Sequence, residues 1–269
     1  MPRRGNFTDA RHNADAMASC LTAQTGTLFS IGEANTMSPL STLIAIFIEP
    51  GKAMQAVREK SMIWLPLLLL VLGTAAVQAW YYQVVDISWL QDHILSASGA
   101  NADPQAMEAA KSFMSRNIMM GGAVVGTLVV LPIILLITAV YYLLAAKVIG
   151  NDITFGKWFA FSTWSAVPTL LLIPVGIAKI LTSSNGQLPP EALNPLSLNQ
   201  LLLHLPVSDA WAGLANAISL PSLWSVVVAI IGYKVWTSKS AVTCAIVVLL
   251  PLVLIYGGMA AFALLRSAV

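Results

Sequence analysis

Long apolar runs alternate with short polar links from about residue 62 to the end of the chain. A bilayer's hydrocarbon core is about 30 Å thick, and a helix needs about 20 apolar residues to cross it. Five runs meet or approach that length, at about 62–82, 118–146, 155–181, 219–236 and 241–265. They are continuous rather than alternating, so they read as helices and not as strands of a barrel. The second and third leave room to tilt, whereas the fourth is short. The expected fold class is all-α: an integral membrane bundle of about five transmembrane helices, with its membrane domain over 62–265.

Before the first run, over 37–61, the period changes. Ser38 is suited to cap a helix and Pro39 to its first position. Leu40, Leu43, Ile44, Phe47 and Ile48 recur at helical spacing and form one apolar stripe. Glu49-Pro50-Gly51 interrupts it, and a second short helix sets Met54 and Val57 inward, with Lys52, Arg58, Glu59 and Lys60 outward. A short amphipathic helix just ahead of a span reads as lying in the cytoplasmic interface. The same stripe also suits packing on the bundle, and the two readings are compatible. Residues 1–36 are polar and without helical periodicity. They lack the apolar stretch of about 7–15 residues that marks a signal peptide. They are expected to be a disordered tail, or an extension ahead of a true start at Met37.

Two links are too long for simple turns. In the first, about Gln83–Asn117, Trp89, Leu90, Ile94 and Leu95 predict a short helix. Asp103-Pro104 opens another, expected to run through Met107, Ala110, Phe113 and Met114 straight into the second span. In the second, about Thr182–Ile218, Asn185-Gly186, Pro189-Pro190 and Asn194-Pro195 are turn signals. Leu198 and Leu201–Leu203 then form an apolar segment, expected to fold over the outer mouth of the bundle.

Charge changes the picture in two ways. Only 10% of residues are charged and the net charge is +2, which gives no footprint for a nucleic-acid partner. The twelve acidic residues all lie outside the five runs, whereas ion-coupled transporters commonly place ionisable groups within the membrane. Seven basic residues (Lys52, Arg58, Lys60, Lys147, Lys157, Lys234, Lys239) fall on one side of the spans and four (Lys111, Arg116, Lys179, Arg266) on the other. The positive-inside rule then puts the N-terminus in the cytoplasm and the C-terminus outside.

Candidate chemistry is sparse. HExxH, GxSxG and phosphate-loop motifs do not occur. His12, His93 and His204 stand at no metal-ligand spacing, and Cys20 and Cys244 fall in unlike settings, so no metal site and no disulfide are expected. Ser162, Thr163 and Ser165 lack an activating neighbour and read as helix–helix hydrogen-bonding groups. No catalytic or cofactor-binding residue is expected. Gly122 and Gly126, beside Gly121, form a small-residue face suited to close helix packing. Pro66, Pro132, Pro168, Pro174 and Pro251 read as kinks that shape the bundle, or as the breaks of a discontinuous-helix substrate site.

The order of features resembles bacterial members of the Yip1 family of multi-pass membrane proteins over roughly residues 40–265. The matching pieces are Phe47-Ile-Glu-Pro50, Ile63-Trp-Leu-Pro66, Ile149-Gly-Asn-Asp-Ile-Thr-Phe-Gly-Lys-Trp158 and Trp164-Ser-Ala-Val-Pro168. Asn194-Pro-Leu-Ser-Leu-Asn199, Leu220-Pro-Ser-Leu-Trp224 and Gly232-Tyr-Lys-Val-Trp236 continue the likeness. The resemblance implies an integral, non-enzymatic protein of the bacterial inner (cytoplasmic) membrane with a periplasmic C-terminus and no cofactor. By analogy with relatives that look like accessory subunits of ABC-type exporters, it implies a scaffold or accessory subunit. Its partners would be membrane lipids and another membrane protein. The alternative is a transporter or channel for a neutral or lipid-like solute. A third option is a membrane-shaping protein working through the Leu40–Ile48 stripe.

Overall fold

A computed structural model describes residues 37–97 and 104–267. The expectations for residues 1–36, and for Cys20 and Asp103 within the chain, lie outside the described residues. Those described are helical, in eleven α-helices. Two short ones come first, α1 (Pro39–Ile48) and α2 (Pro50–Glu59). Span one is α3 (Trp64–Val84), followed by α4 (Ile87–Ala97) and α5 (Pro104–Phe113). Span two is α6 (Arg116–Val148). Span three is broken into α7 (Phe155–Ser165), a 3₁₀ turn (Val167–Leu171) and α8 (Leu172–Thr182). After a long loop with α9 (Ala212–Ala217), span four is α10 (Leu220–Thr237) and span five α11 (Ala241–Ser267). All five are long and apolar enough to cross a membrane. Spans one, three and five begin at the end of the bundle that carries α1–α2, called here the hairpin end. Spans two and four begin at the opposite, loop end.

Local chemistry explains the boundaries. The Ser38 hydroxyl accepts from the Ser41 amide at 3.1 Å and caps α1. Ser219 and Ser222 cap span four reciprocally, with Pro221 in its first turn. The span ends at Ser238, which takes the left-handed conformation at φ 56°. Span three breaks where Pro168 brings no N–H, and Thr169 instead donates to Ala166 in a tighter turn. One expectation is corrected here: α5 does not run into span two. Met114 N–H closes α5 on the Lys111 carbonyl at 3.0 Å, and Ser115 is extended (φ −63°, ψ 153°) before a new helix starts at Arg116.

Lipid tails are as apolar as leucine, so spans associate through close packing and hydrogen bonds rather than through water exclusion. The hairpin end shows this most clearly. Tyr142 of span two, Trp158 and Phe161 of α7, and Tyr233 and Trp236 of span four form one buried aromatic cluster. Ring centroids of contacting pairs stand 4.9 Å (Tyr142–Phe161) to 6.4 Å (Phe161–Tyr233) apart, within the range of attractive ring contacts. Helix α2 seals the cluster with Ala53, Met54 and Val57, all fully buried. Trp236 donates its indole N–H to the Met54 carbonyl at 2.8 Å, and Trp164 donates to Met62 O at 2.6 Å.

Three glycines within the spans allow the close approaches between helices. A Cβ on Gly232 would lie 2.7 Å from Met54 Cε and 2.9 Å from Phe161 Cε2. One on Gly73 would meet Ile173 Cδ1 at 2.5 Å, and one on Gly176 would meet Val77 Cγ1 at 3.3 Å. These positions join α2 to spans three and four, and span one to α8.

Candidate functional site

The loop end is built as a cap over a cleft. Val77, Gln78 and Thr74 of span one face Leu172 and Ile173 of α8 across about 310 Å³. The second loop closes the cleft from above with Pro190, Leu193 and Asn194. Its walls are apolar, with Thr74, Gln78 and Asn194 supplying polar groups. Asn194 Oδ1 is buried without a hydrogen-bond partner. A buried amide oxygen left unpaired is costly.

Four contacts fix the cap. Tyr81 donates to the Leu188 carbonyl at 2.7 Å, and the Asp86 amide donates to Gly186 O at 2.9 Å. The His93 ring and the Glu191 carboxylate meet at 2.9 Å, tying the first loop to the second. Trp89 stacks on His93. Gly186 sits at φ +70°, and a Cβ there would press to 3.0 Å from Val84 O, so the turn requires glycine. Beneath the cap, Tyr81, Val85, Leu90 and Ile180 form a second small core.

Arg116 holds the rim. Its guanidinium donates to Tyr82 O, to Gln83 O at 2.8 Å and to Val85 O at 3.1 Å. These carbonyls end span one and lack helical partners, and a cation there also opposes the helix dipole. Arg58 plays a similar part at the hairpin end, donating to Val235 O in the last turn of span four at 3.3 Å. Nearby at the loop end, Lys111 pairs with Asp92 at 2.8 Å.

The residues singled out from sequence divide. In α1, Leu43 and Phe47 pack against the aromatic core, while Leu40, Ile44 and Ile48 are exposed along the outer flank. The most deeply buried positions of that helix are Thr42 and Ile46, which the stripe did not include. The turn after α1 lies beside span four: Ile231 Cγ2 is 3.7 Å from the place of a Gly51 Cβ. Ile231 precedes Thr237, the end of that span, by six residues, about 9 Å of helix. Among the described residues, a Cβ on Gly122 or Gly126 would meet nothing within 4 Å, so the small-residue face packs no helix there. Ser162 does bridge two spans, donating to Leu135 O at 2.9 Å. Thr163 bonds within its own helix, and Ser165 Oγ is buried without a partner. Among the described residues no three His, Cys, Asp or Glu side chains gather as metal ligands.

Sequence reasoning missed the cleft, the Arg116 cap and Gly73, Gly176 and Gly232. The small-residue run Gly73-Thr-Ala-Ala76 was the available signal for the first of these glycines. The cleft had none, because its walls come from segments about a hundred residues apart.

An all-helical bundle with five apolar helices of spanning length, capped by helical loops, defines a multi-pass membrane protein. The model of the Yip1 domain matches residues 44–262, and the chain belongs to the Yip1 family. Searches of the curated proteins and of the solved structures gave no match.

Proposed function

We propose that the chain is a non-enzymatic scaffold or accessory subunit of the bacterial inner membrane, with a cytoplasmic N-terminus and a periplasmic C-terminus. The observation that carries this reading is the solid hairpin end. Five aromatic rings from spans two, three and four fill it, and α2 is pinned across them. The five spans also hold no aspartate or glutamate. A body closed in this way is suited to holding a neighbour rather than to moving charge. Spans two and five keep most of their apolar surface turned outward, which leaves long faces for another membrane protein; an ABC-type exporter is the class the family resemblance suggests. The test is purification in mild detergent from the native membrane. One stoichiometric membrane partner is expected, and a strictly solitary protein refutes the proposal.

A second reading is favoured by the loop-end cleft with its unpartnered Asn194 oxygen: carriage of a neutral or lipid-like solute. Reconstituted vesicles separate the two. Flux of a neutral solute that falls on Asn194→Leu substitution supports carriage, and no flux across a broad panel retires it.

A further inference from the structure

The loop end holds a second cleft, separate from the first. It lies between α9 with the loop before it and the last three turns of span five, and measures about 490 Å³, within the size range of small-molecule sites. Leu214, Met259 and Phe262 make it apolar, and Gly258 leaves it wide, since a Cβ there would meet nothing within 4 Å.

Its polar groups are unusual. Asp209 and Arg266 line the same cleft but form no ion pair with each other. Asp209 Oδ1 accepts from the Trp211 amide at 2.8 Å, which fixes the carboxylate and leaves its second oxygen open. The Arg266 guanidinium makes no hydrogen bond among the described residues, although it stands in the last turn of a span where carbonyls are at hand. The cleft thus offers a free cation on one wall, a carboxylate on the other and an apolar floor between them.

We infer that this cleft binds a phospholipid whose headgroup carries a phosphate and a primary ammonium, the phosphoethanolamine type. Arg266 takes the phosphate through its planar fork. Asp209 accepts from the ammonium, whose N–H donors a choline headgroup lacks. The acyl chains follow the outward face of span five past Gly258. Trp211, two residues after Asp209 and partly exposed, suits the headgroup level, where tryptophan concentrates. The source is a membrane lipid rather than soluble phosphoethanolamine, because the floor is apolar and opens onto a lipid-facing span. This inference does not depend on the scaffold reading.

The full chain, purified in detergent, is exchanged into mixed micelles containing equal amounts of phosphatidylethanolamine, phosphatidylglycerol and phosphatidylcholine. Bound lipid is counted by native mass spectrometry. The wild type is expected to retain phosphatidylethanolamine about tenfold over the other two. Arg266→Gln should lose retention of all three. Asp209→Asn keeps the acceptor for Trp211 and should lose only the preference for ethanolamine over choline. Unchanged unfolding midpoints of both variants show that the fold is intact. A variant that unfolds early is replaced by Asp209→Ser, whose hydroxyl can still accept from the Trp211 amide and which is also expected to lose the ethanolamine preference. Equal retention of the three lipids by the wild type, unaltered selectivity in the variants, or competition by soluble phosphoethanolamine at equal concentration would each overturn the assignment.

Discussion

Replacing Gly232 with alanine tests whether close packing, rather than propensity, holds the hairpin end together. The new Cβ would stand 2.7 Å from Met54 Cε, 2.9 Å from Met54 Cγ and 2.9 Å from Phe161 Cε2. Methionine's terminal carbon swings aside easily, but its Cγ does not, and Phe161 is locked among Tyr142, Trp158 and Trp236. Relief therefore requires α2 to move off span four. Overpacking of this kind costs about 1–3 kcal/mol. Alanine's better helix propensity returns about 1 kcal/mol, so the net loss is about 1 kcal/mol. Gly122→Ala is the matched control. Its Cβ meets nothing, so only the propensity gain applies, up to about 1 kcal/mol. The two variants should differ by about 2 kcal/mol, or about 30-fold in the folding equilibrium. Titration with sodium dodecyl sulfate in mixed micelles, followed by the fluorescence of the buried Trp158 and Trp236, measures this directly. If Gly232→Ala is as stable as Gly122→Ala, the packing argument is wrong.

Further outcomes follow from single contacts. Trp236→Phe keeps the ring in the cluster but removes the N–H donated to Met54 O; a loss of about 1 kcal/mol is expected, with faster amide exchange in α2, and unchanged exchange there would deny that this bond pins the helix. Arg116→Gln strips the donor from the carbonyls that end span one. The expected cost is about 1–2 kcal/mol, low in the range for charged hydrogen bonds because the site is half-exposed, and Arg116→Lys should recover only part of it for want of the fork; full recovery by lysine would show that charge alone matters. The hydrogen bond to Asp92 raises the Lys111 pKa above its ordinary range. The pair's contribution is therefore complete below lysine's usual value of about 10.4 and disappears as pH rises through the higher folded value. Acylation of Lys111 at about pH 10 should be slower in the wild type than in Asp92→Asn, and equal rates would contradict it.

The spans were legible because crossing a bilayer imposes length and continuity, both of which are local. Span one was expected at 62–82 and lies at Trp64–Val84; span four was expected at 219–236 and lies at Leu220–Thr237. What was not legible is which side of each helix meets protein. In water an apolar stripe points inward, but in lipid the solvent is as apolar as the core, so the pattern loses that meaning. Hence the Leu40–Ile48 stripe contained both packed residues, Leu43 and Phe47, and outward ones, Leu40, Ile44 and Ile48. Glycines suffer the same ambiguity. Gly122 and Gly126 have the right spacing but meet nothing among the described residues, whereas Gly73, Gly176 and Gly232, without that spacing, are crowded. Arg116 and Lys111 were read only as topological charges; their bonds to Tyr82, Gln83, Val85 and Asp92 depend on a loop geometry that no local pattern encodes.

The break in span three explains how one chain supports a solid end and a hollow end. α7 must lie close enough to span four to place Trp158 and Phe161 among Tyr233 and Trp236. α8 must instead lie against span one, where Gly73 and Gly176 let Ile173 and Val77 approach. One straight helix follows a single line and meets these two demands only if spans one and four converge. The 3₁₀ turn over Val167–Leu171 removes the conflict: it interrupts the helix so that each half packs on its own neighbours, while the buried Val167 and Pro168 keep the turn packed. The cleft beneath the cap then opens where α8, freed from the aromatic cluster, leaves space beside Gln78. Restoring an unbroken helix with Pro168→Ala should therefore favour one demand over the other. Because the aromatic cluster buries far more surface, the loop end should yield: the reactivity of a cysteine placed at Gln78 is expected to change, while Trp158 fluorescence stays constant. The reverse pattern would mean that the break serves the cluster and that the cleft is incidental to it.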